Sequence, residues 1–199
     1  MKLLVASGNK HKVAEIAVLL QDTAWEVCSL ADYPELELPP EDADTFVGNA
    51  RIKAEAAARA TGLWTLADDS GLAVDALDGA PGVYSARYAG EQKDDAANNA
   101  KLLEAMRDVP DGQRTARFVC ALALVSPQGQ TAFTQGYCEG SIIWEERGTM
   151  GFGYDPLFLL ADGGQTMAEL DMDAKNAVSH RAAALRDMLP VLRAVVQAE

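Results

Sequence analysis

The chain has 199 residues, of which 49% are hydrophobic and 24% charged, and its 17 basic residues are outnumbered by 30 acidic ones. This length and composition are typical of a globular protein that buries about 70% of its unfolded surface. The formal net charge of −13 disfavours nonspecific binding to nucleic acid or anionic membrane, and no apolar run is long enough for a signal peptide or a membrane span.

The spacing of apolar residues divides the first half of the chain into short elements of both kinds. Thr45 is predicted to cap the second helix and Gly62 to end it, and Asp94 or Asp95 starts the third. In chain order we predict a strand over 2–6, a helix over 9–20, a strand over 25–30, a loop over 31–44, a helix from Thr45 to about Ala60, extended runs over 63–69 and 71–77, a loop over 78–90 and a helix that carries Leu102, Leu103 and Met106.

Two long β-like runs, residues 114–126 and 130–144, dominate the second half, and the turn 127–129 predicts that they form a hairpin. Residues 151–160 combine a glycine-rich turn with a strand. An apolar stripe predicts a final amphipathic helix, which Pro190 kinks or interrupts with a new turn. This mixture predicts an α/β fold with a mixed sheet, as one domain or two closely packed lobes.

The cysteines suggest a reducing compartment. Cys28, Cys120 and Cys138 are odd in number, widely spaced and without a CxxC pair. This pattern favours neither a disulfide framework nor a zinc site. We therefore expect reduced thiols in a cytoplasmic protein.

The stretch SGNKHK, from Ser7 to Lys12, joins the first predicted strand to the first helix. Gly8 lets the backbone approach a ligand, and the free N–H groups at the start of the helix point towards whatever binds there. Ser7 and Asn9 add side-chain donors, and the lysines add positive charge. The pattern fits a phosphate site, and it equally fits a capped helix with solvated lysines.

Asp68 and Asp69 follow an apolar strand and precede Ser70-Gly71. Neighbouring aspartates repel each other unless a positive group, usually a hard divalent cation, compensates. The pattern predicts a metal site at a strand end, or else an acidic turn whose carboxylates bond to their own backbone.

Two other stretches carry candidate ligands for a nucleotide. Asn49 and Lys53 lie four residues apart on one helical face, where the lysine either reaches a phosphate or is solvated. In GFGYDP, Phe152 and Tyr154 either stack a flat base or pack the core.

The last candidates are three cations, Lys175, His180 and Arg181, at the predicted start of the final helix, where Ser179 is a possible N-cap. Cations at a helix N-terminus oppose the helix dipole. Their placement is unfavourable unless an anion or a keto oxygen receives them.

Together these motifs resemble the inosine triphosphate pyrophosphatase family, which hydrolyses non-standard purine nucleoside triphosphates such as ITP, dITP and XTP to the monophosphate and pyrophosphate. The resemblance runs from residue 3 to about residue 190, and the one clear departure is Gly48, where the family usually has Glu. The matching motifs are S/T-G-N-x-x-K at 7–12, N-A-x-x-K-A at 49–54, A-D-D-S-G-L at 67–72, GAPGVYSARYAG at 79–90, F-G-Y-D at 152–155 and S-H-R at 179–181.

The resemblance implies a single ITPase-like domain over residues 1–199, with an elongated mixed sheet flanked by helices, two lobes with a cleft between them, and usually a homodimer. It implies that Asp69 and Glu41 hold Mg²⁺, that Asp69 activates the water that attacks the α-phosphorus, and that Lys53 assists. The residues implied to bind the substrate are Ser7, Gly8, Asn9, Lys10, His11, Lys12, Ser70, Phe152, Gly153, Tyr154, Asp155, Lys175, His180 and Arg181.

Within that set, Phe152 is implied to stack the base, and Lys175, His180 and Arg181 to donate to its O6 atom. Hypoxanthine and xanthine accept a hydrogen bond there, whereas adenine offers an amino donor, so a donor-lined pocket rejects adenine. Guanine also carries O6, and its exclusion must come from around its 2-amino group.

Three alternatives remain open at this point. The same phosphate chemistry would serve a pyrophosphatase for modified pyrimidine or methylated nucleotides. A non-catalytic nucleotide-binding regulator would use the acidic pair structurally. A nucleic-acid-binding module is disfavoured by the net charge and by the lack of a basic stripe.

Overall fold

The computed structural model describes residues 1–198 as an α/β fold with one mixed six-stranded sheet. Within these residues, five short 3₁₀ turns connect the longer elements. The strands are β1 (Lys2–Val5), β2 (Glu26–Ser29), β3 (Trp64–Val74), β4 (Thr115–Val125), β5 (Thr131–Ile142) and β6 (Phe158–Leu160), and the helices are α1 (Lys10–Leu20), α2 (Phe46–Thr61), α3 (Asp95–Ala105), α4 (Met172–Val178) and α5 (His180–Ala198).

The strand order in the sheet is β2-β1-β3-β4-β5-β6. β1 pairs in parallel with β2 and β3, whereas β5 and β6 are antiparallel, so the sheet is mixed as predicted. The N–H of Ser126 donates to the carbonyl of Gln130, and the N–H of Ile142 donates to the carbonyl of Arg114. This register confirms the predicted hairpin of β4 and β5.

The chain divides into two compact units. Unit 1 comprises Met1–Asp69, Cys120–Gly136 and the chain from Arg181 onward, and unit 2 comprises Ser70–Val119 and Tyr137–His180. Each of β3, β4 and β5 contributes residues to both units.

Each unit has its own buried apolar core. In unit 1 the alanine face of α2, which includes Ala50, Ala54 and Ala57, shares a cluster with Leu4 and Ala6 at β1. Alanines allow the helix backbone to approach the sheet closely, and this approach carries the polar residues of α2 to β3. A second cluster in unit 1 joins α1 and α5 to the sheet, and unit 2 has a separate cluster centred on Leu72, Phe118, Tyr154 and Phe158.

The predicted break at Ser70-Gly71 is wrong. β3 is one continuous strand of 11 residues, so Asp68 and Asp69 lie in its middle and not at a strand end or in a turn. A Cβ at Gly71 would collide with the Oγ of Ser85 and would lie 2.6 Å from the carbonyl oxygen of Gly82. The glycine therefore serves a close approach of the 82–85 segment, and no turn is needed.

The caps of α2 follow the prediction. The Oγ1 of Thr45 accepts from the N–H of Gly48, and Gly62 ends the helix with a φ of 66°. The C-terminal prediction needs a correction, because Ser179 adopts extended backbone and separates α4 from α5. Lys175 therefore lies on α4 and not at the start of the last helix, while Pro190 lies inside α5.

Two global features complete the description. All three cysteines carry free thiols, as predicted. Within residues 1–198, no helix has the length and apolar character needed to cross a membrane.

Candidate active site

The turn before α1 is held by its own side chains. The amide oxygen of Asn9 accepts from the N–H groups of His11 (2.9 Å) and Lys12 (3.3 Å), and the hydroxyl of Ser7 accepts from the N–H of Asn9 (3.3 Å). Asn9 is thus an N-cap, as expected for the alternative of a capped helix. Lys10 is exposed, whereas Lys12 turns inward, so only one of the two lysines is solvated.

Lys12 belongs to a buried network of four charged side chains in unit 1. Its Nζ lies 3.0 Å from the Oδ2 of Asp68, and the guanidinium of Arg181 donates to the same carboxylate oxygen at 3.2 Å. The other arm of Arg181 donates to the carboxylate of Glu15 on α1. Asp68, Arg181 and Glu15 are at most 3% exposed. Two cations and two anions therefore balance inside the unit.

This balance decides the charge of Asp68. Burial by itself would raise the pKa of its carboxyl, but the positive charges of Lys12 and Arg181 outweigh burial and hold that pKa well below the usual range. Burial by itself would likewise lower the pKa of Arg181, and the carboxylate of Asp68 reverses this and raises it. The anion that compensates Arg181 at the start of α5 is thus the protein's own.

Asp69, the next residue, takes part in a second cluster in unit 1, built from α2 and the loop before it. The Nδ2 of Asn49 donates to the Oδ2 of Asp69 at 3.0 Å. The ammonium of Lys53 lies 3.8 Å from the Oδ1 of Asp69 and 3.3 Å from the carboxylate of Glu41. Lys53 is only 5% exposed, so it is not a solvated surface lysine.

The carboxyl of Asp69 is tuned differently from that of Asp68. Burial raises the pKa of Asp69 to about 6, and the charges of Lys53 and Lys12 together with the Asn49 hydrogen bond oppose the shift only in part. The nearby charge of Glu41 adds to it. A carboxylate with such a pKa is mostly ionised at neutral pH and can still accept a proton.

The chemistry of this cluster fits a magnesium ion that binds together with a polyphosphate. Among residues 1–198, no three His, Cys, Asp or Glu side chains converge on one point, so the protein offers no complete cage for a metal. Asp69 and Glu41 share one ammonium and present two hard oxygen donors. Mg²⁺ characteristically binds one or two carboxylates and completes its coordination with water and substrate phosphate oxygens.

A third cluster lies in unit 2, on the glycine-rich turn before β6. The Oδ2 of Asp155 accepts from the N–H of Phe152 at 3.0 Å and from the ammonium of Lys175 at 2.7 Å. That ammonium also lies 4.8 Å from the centre of the Phe152 ring. Asp155 and Lys175 are at most 5% exposed, while Phe152 is half-buried. One buried ion pair therefore fixes both the backbone and the ring of Phe152.

Helix α3 holds the same turn from another side. The N–H of Gly153 donates to the Oδ2 of Asp95 at 2.7 Å, and the Nδ2 of Asn99 donates to the carbonyl of Gly153 at 3.2 Å. Asp95 and Asn99 lie four residues apart on one helical face. Both peptide groups around Gly153 are therefore bonded to one helix.

Comparison with known proteins establishes the family. A family model described as the Ham1 family matches residues 3–191. This chain belongs to the Ham1 family. Among curated Ham1 relatives, a dITP/XTP pyrophosphatase of Desulforamulus reducens is 53% identical over 192 residues, covering 96% of each chain. A dITP/XTP pyrophosphatase of Geobacter sulfurreducens is 54% identical over 184 residues, covering 92% of each.

Solved Ham1 structures agree with the fold. A HAM1 protein from Coxiella burnetii superposes with a TM-score of 0.88 at 42% identity, covering 97% of this chain and 98% of that one. A nucleoside-triphosphatase / dITP/XTP pyrophosphatase from Mycobacterium abscessus gives 0.78 at 50% identity, covering 96% and 100%. The resemblance drawn from the sequence motifs is therefore confirmed.

The residues that the sequence singled out in this Ham1 chain fall into both units. The structure brings Lys53 to Asp69 and Glu41, and it brings Phe152 to Asp155 and Lys175. Unit 1 holds Ser7, Gly8, Asn9, Lys10, His11, Lys12, Glu41, Lys53, Asp69 and Arg181, and unit 2 holds Ser70, Phe152, Gly153, Tyr154, Asp155, Lys175 and His180.

Three of the side chains predicted to bind the substrate make contacts in the interior of the protein. The hydroxyl of Tyr154 donates to the carbonyl of Ser85 at 2.8 Å, and its ring belongs to the core of unit 2. The imidazole of His180 stacks on Phe118 with ring centres 4.9 Å apart. Arg181 is 1% exposed and bonded to two carboxylates. Direct contact of these three with a substrate stays a prediction.

Sequence reasoning missed several residues that shape these clusters in the Ham1 chain. Glu15 carried a usable signal, because it lies three residues after Lys12 on α1 and so shares its face. Asp95 and Asn99 have the same kind of helical spacing, but nothing local points to a glycine 54 residues away from Asn99. The spacing of Asn49 and Lys53 places them on one face of α2, but it does not predict the hydrogen bond from Asn49 to Asp69.

Proposed function

We propose that this Ham1-family protein is a nucleoside triphosphate pyrophosphatase that hydrolyses XTP, ITP and dITP to the monophosphate and pyrophosphate, and so removes non-standard purines from the nucleotide pool. The observation that carries the proposal is the cluster of Asp69, Lys53 and Glu41, in which Asp69 and Lys53 are buried and lie on motifs of the family. Relatives that are 53% and 54% identical over more than nine-tenths of the chain bear the name dITP/XTP pyrophosphatase.

The phosphates are assigned to unit 1. Lys12 and Lys53 supply positive charge, and the exposed Gly8 leaves the backbone of the first turn open to a phosphate. Asp69 and Glu41 would hold Mg²⁺, which when bound neutralises negative charge on the polyphosphate and on the departing pyrophosphate. Since the donors are two carboxylates only, the metal is expected to arrive with the nucleotide.

Asp69 is assigned as the general base. Its carboxylate takes a proton from water while the water oxygen attacks the α-phosphorus, and the bond from that phosphorus to the oxygen bridging the α- and β-phosphates breaks. The electron pair of that bond leaves with pyrophosphate. The raised pKa of Asp69, about 6, matches a carboxylate that must be ionised before the step and protonated after it.

Base recognition is assigned to unit 2. Phe152 presents a half-buried ring whose backbone and face are fixed by Asp155 and Lys175, which suits it to stack a purine. Lys175 supplies a donor for an acceptor such as O6. Arg181 acts in this proposal mainly by holding Asp68, and any contribution to base selection is secondary.

Three finer expectations complete the proposal. We expect Mg²⁺ to be the physiological metal, because hard oxygen donors and phosphates favour it. The family resemblance supports a homodimer, and the free thiols support a cytoplasmic location.

Pyrophosphate release from ITP, XTP, GTP and ATP, each with and without Mg²⁺, tests the activity. We expect release from ITP and XTP only, and only with metal. Asp69→Asn should reduce kcat for ITP by at least about 10³-fold while the protein still binds the nucleotide, since the amide keeps the shape of the carboxylate and cannot accept the proton.

The control for Asp69→Asn is its circular dichroism spectrum and melting temperature, which should remain those of a folded protein. Normal turnover by this variant would contradict the role of Asp69. If the unmodified protein binds ITP but releases no pyrophosphate, a non-catalytic nucleotide-binding regulator is favoured. If it releases pyrophosphate only from modified pyrimidine or methylated nucleotides, a pyrophosphatase for those nucleotides is favoured.

A further inference from the structure

Gly48 occupies a position on α2 where a side chain has no room. A Cβ at this position would lie 2.7 Å from the Cβ of Ala43 and 3.0 Å from the Oγ1 of Thr45. Carbon atoms in van der Waals contact are about 3.5–4.0 Å apart. The side chain of Thr45 could rotate away, but Ala43 has no rotatable bond that moves its Cβ, so its backbone would have to shift.

The backbone of Ala43 is tied to the cluster around Asp69. Its N–H donates to the Oδ1 of Asn49 at 2.9 Å, and the Nδ2 of the same amide donates to Asp69 at 3.0 Å. The first bond requires the oxygen of the amide to face the loop, and so its nitrogen must face Asp69. Asn49 is 1% exposed, so its amide group is largely shielded from water.

The same stretch of loop also carries Glu41, two residues before Ala43. Glu41 is held against α2 by the ammonium of Lys53 at 3.3 Å. A shift of the backbone at Ala43 would therefore disturb both carboxylates of the cluster, Glu41 through the chain and Asp69 through Asn49.

We propose that Gly48 is a positioning residue of the phosphate and metal cluster, and that positions 43 and 48 can hold only one side chain between them. Because Gly48 has no side chain, Ala43 can pack against α2. This packing orients the amide of Asn49 and the loop that carries Glu41. The part of the proposal that concerns metal binding rests on the proposed function, whereas the part that concerns packing does not. A glutamate at position 48, as is usual in the family, then requires a residue smaller than alanine at position 43.

A cycle of four proteins tests the packing: the unmodified chain, Gly48→Ala, Ala43→Gly and the double variant. Alanine is a better helix former than glycine, so an unobstructed Gly48→Ala would raise the melting temperature by about 2–4 °C. We expect it to lower the melting temperature by at least about 2 °C in the unmodified chain and to raise it in the Ala43→Gly background. The same effect of Gly48→Ala in both backgrounds would overturn the proposal.

Gly48→Glu extends the cycle. In the Ala43→Gly background, Gly48→Glu should leave the melting temperature within about 2 °C of that of Ala43→Gly alone. In the unmodified chain, Gly48→Glu should lower the melting temperature by more than this. Gly164→Ala is the control, because a Cβ there would meet only a carboxylate oxygen at an ordinary 3.7 Å and should leave the melting temperature unchanged.

Calorimetric titration with the Mn²⁺ complex of a non-hydrolysable ITP analogue tests the link to the cluster, because the metal is expected to bind together with the nucleotide. Gly48→Ala should weaken binding of this complex about tenfold, and adding Ala43→Gly should restore it. Coupled melting temperatures with equal affinity for the complex in all four proteins would overturn the positioning role. Absence of pyrophosphatase activity would contradict the proposed function and leave the cycle of melting temperatures to decide the packing.

Discussion

At the scale of single residues, Arg181 stabilises two carboxylates at once. Its two arms reach Asp68 on β3 and Glu15 on α1, and all three side chains are buried. Such groups are costly to bury alone, and removing one partner of a buried pair typically costs about 3–5 kcal/mol. Lys12 remains beside Asp68 if Arg181 is removed, whereas the buried carboxylate of Glu15 loses the guanidinium that donates to it.

We therefore expect Arg181→Met to lower the free energy of unfolding by about 3–5 kcal/mol, measured by urea denaturation at pH 7. Adding Glu15→Gln should recover part of the loss, since the neutral amide no longer leaves a charge buried.

Arg107→Met provides the control for this measurement. Arg107 pairs with Glu104 at the surface, where both side chains are more than 60% exposed, and its loss should change the free energy of unfolding by less than about 0.5 kcal/mol. A loss below about 1 kcal/mol for Arg181→Met would contradict the structural role of the network.

At the scale of elements, α2 and α3 each place two polar side chains, four residues apart, against a group on another element. Asn49 and Lys53 project from α2 to Asp69, and Asp95 and Asn99 project from α3 to Gly153. In both pairs a rigid helix fixes the distance between the two side chains. Each pair therefore orients a group on another element more precisely than two residues on a loop could.

The pair on α3 makes a prediction about the base. Asp95→Ala removes the acceptor of the Gly153 N–H and should loosen the turn that carries Phe152. If Phe152 stacks the purine, the variant should raise KM for ITP about tenfold with a smaller change in kcat. This size is expected for the loss of one hydrogen bond to a charged group. Asp95→Asn keeps an acceptor oxygen and should restore most of the affinity. Steady-state kinetics with ITP measures both.

Glu104→Ala is the matched control on the same helix, because Glu104 contacts Arg107 at the surface and should leave KM unchanged. An equal fall of kcat and of kcat/KM for Asp95→Ala, with KM constant, would show that the turn does not contribute to substrate binding.

The sequence predicted those elements whose signals are local. Thr45 and Gly62 bound α2 as expected, because a cap acts within one helical turn. β3 was divided in error, since Ser70-Gly71 has the composition of a turn and the need for Gly71 arises from Ser85 and Gly82, which lie more than ten residues later. Composition cannot distinguish a glycine needed for a turn from one needed for a close approach.

The site was predictable to the same extent. Asp69 and Lys53 lie on family motifs, and the resemblance also implied Glu41 as a metal ligand. The structure brings these three side chains together. The partnership of Arg181 with Glu15 joins residues 166 positions apart, and no spacing within the chain indicates it. The helical spacing of Lys12 and Glu15 was a signal, but only the tertiary structure supplies the guanidinium that Glu15 neutralises.

At the scale of the whole molecule, the sheet strands link the cores of the two units through the chain itself. On β4, Phe118 belongs to the core of unit 2, and Cys120 and Leu122 belong to a core of unit 1. β3 and β5 likewise contribute residues to both units. A strand segment in one core is therefore covalently continuous with a segment in the other, which favours a single cooperative unfolding transition.

Two cysteines report on this directly, because each belongs to the core of a different unit. Burial raises the pKa of the Cys120 thiol to about 12 and that of the Cys138 thiol to about 11, so neither is a reactive thiolate in the folded protein. Pulses of iodoacetamide across a urea series, with mass spectrometry of the peptides, should show both thiols becoming modified at one urea midpoint. Cys28 is half-buried and should be modified at lower urea, which confirms that the pulse is long enough. Modification of Cys138 at a clearly lower midpoint than Cys120 would mean that unit 2 unfolds while unit 1 stays folded, and that the shared strands do not couple them.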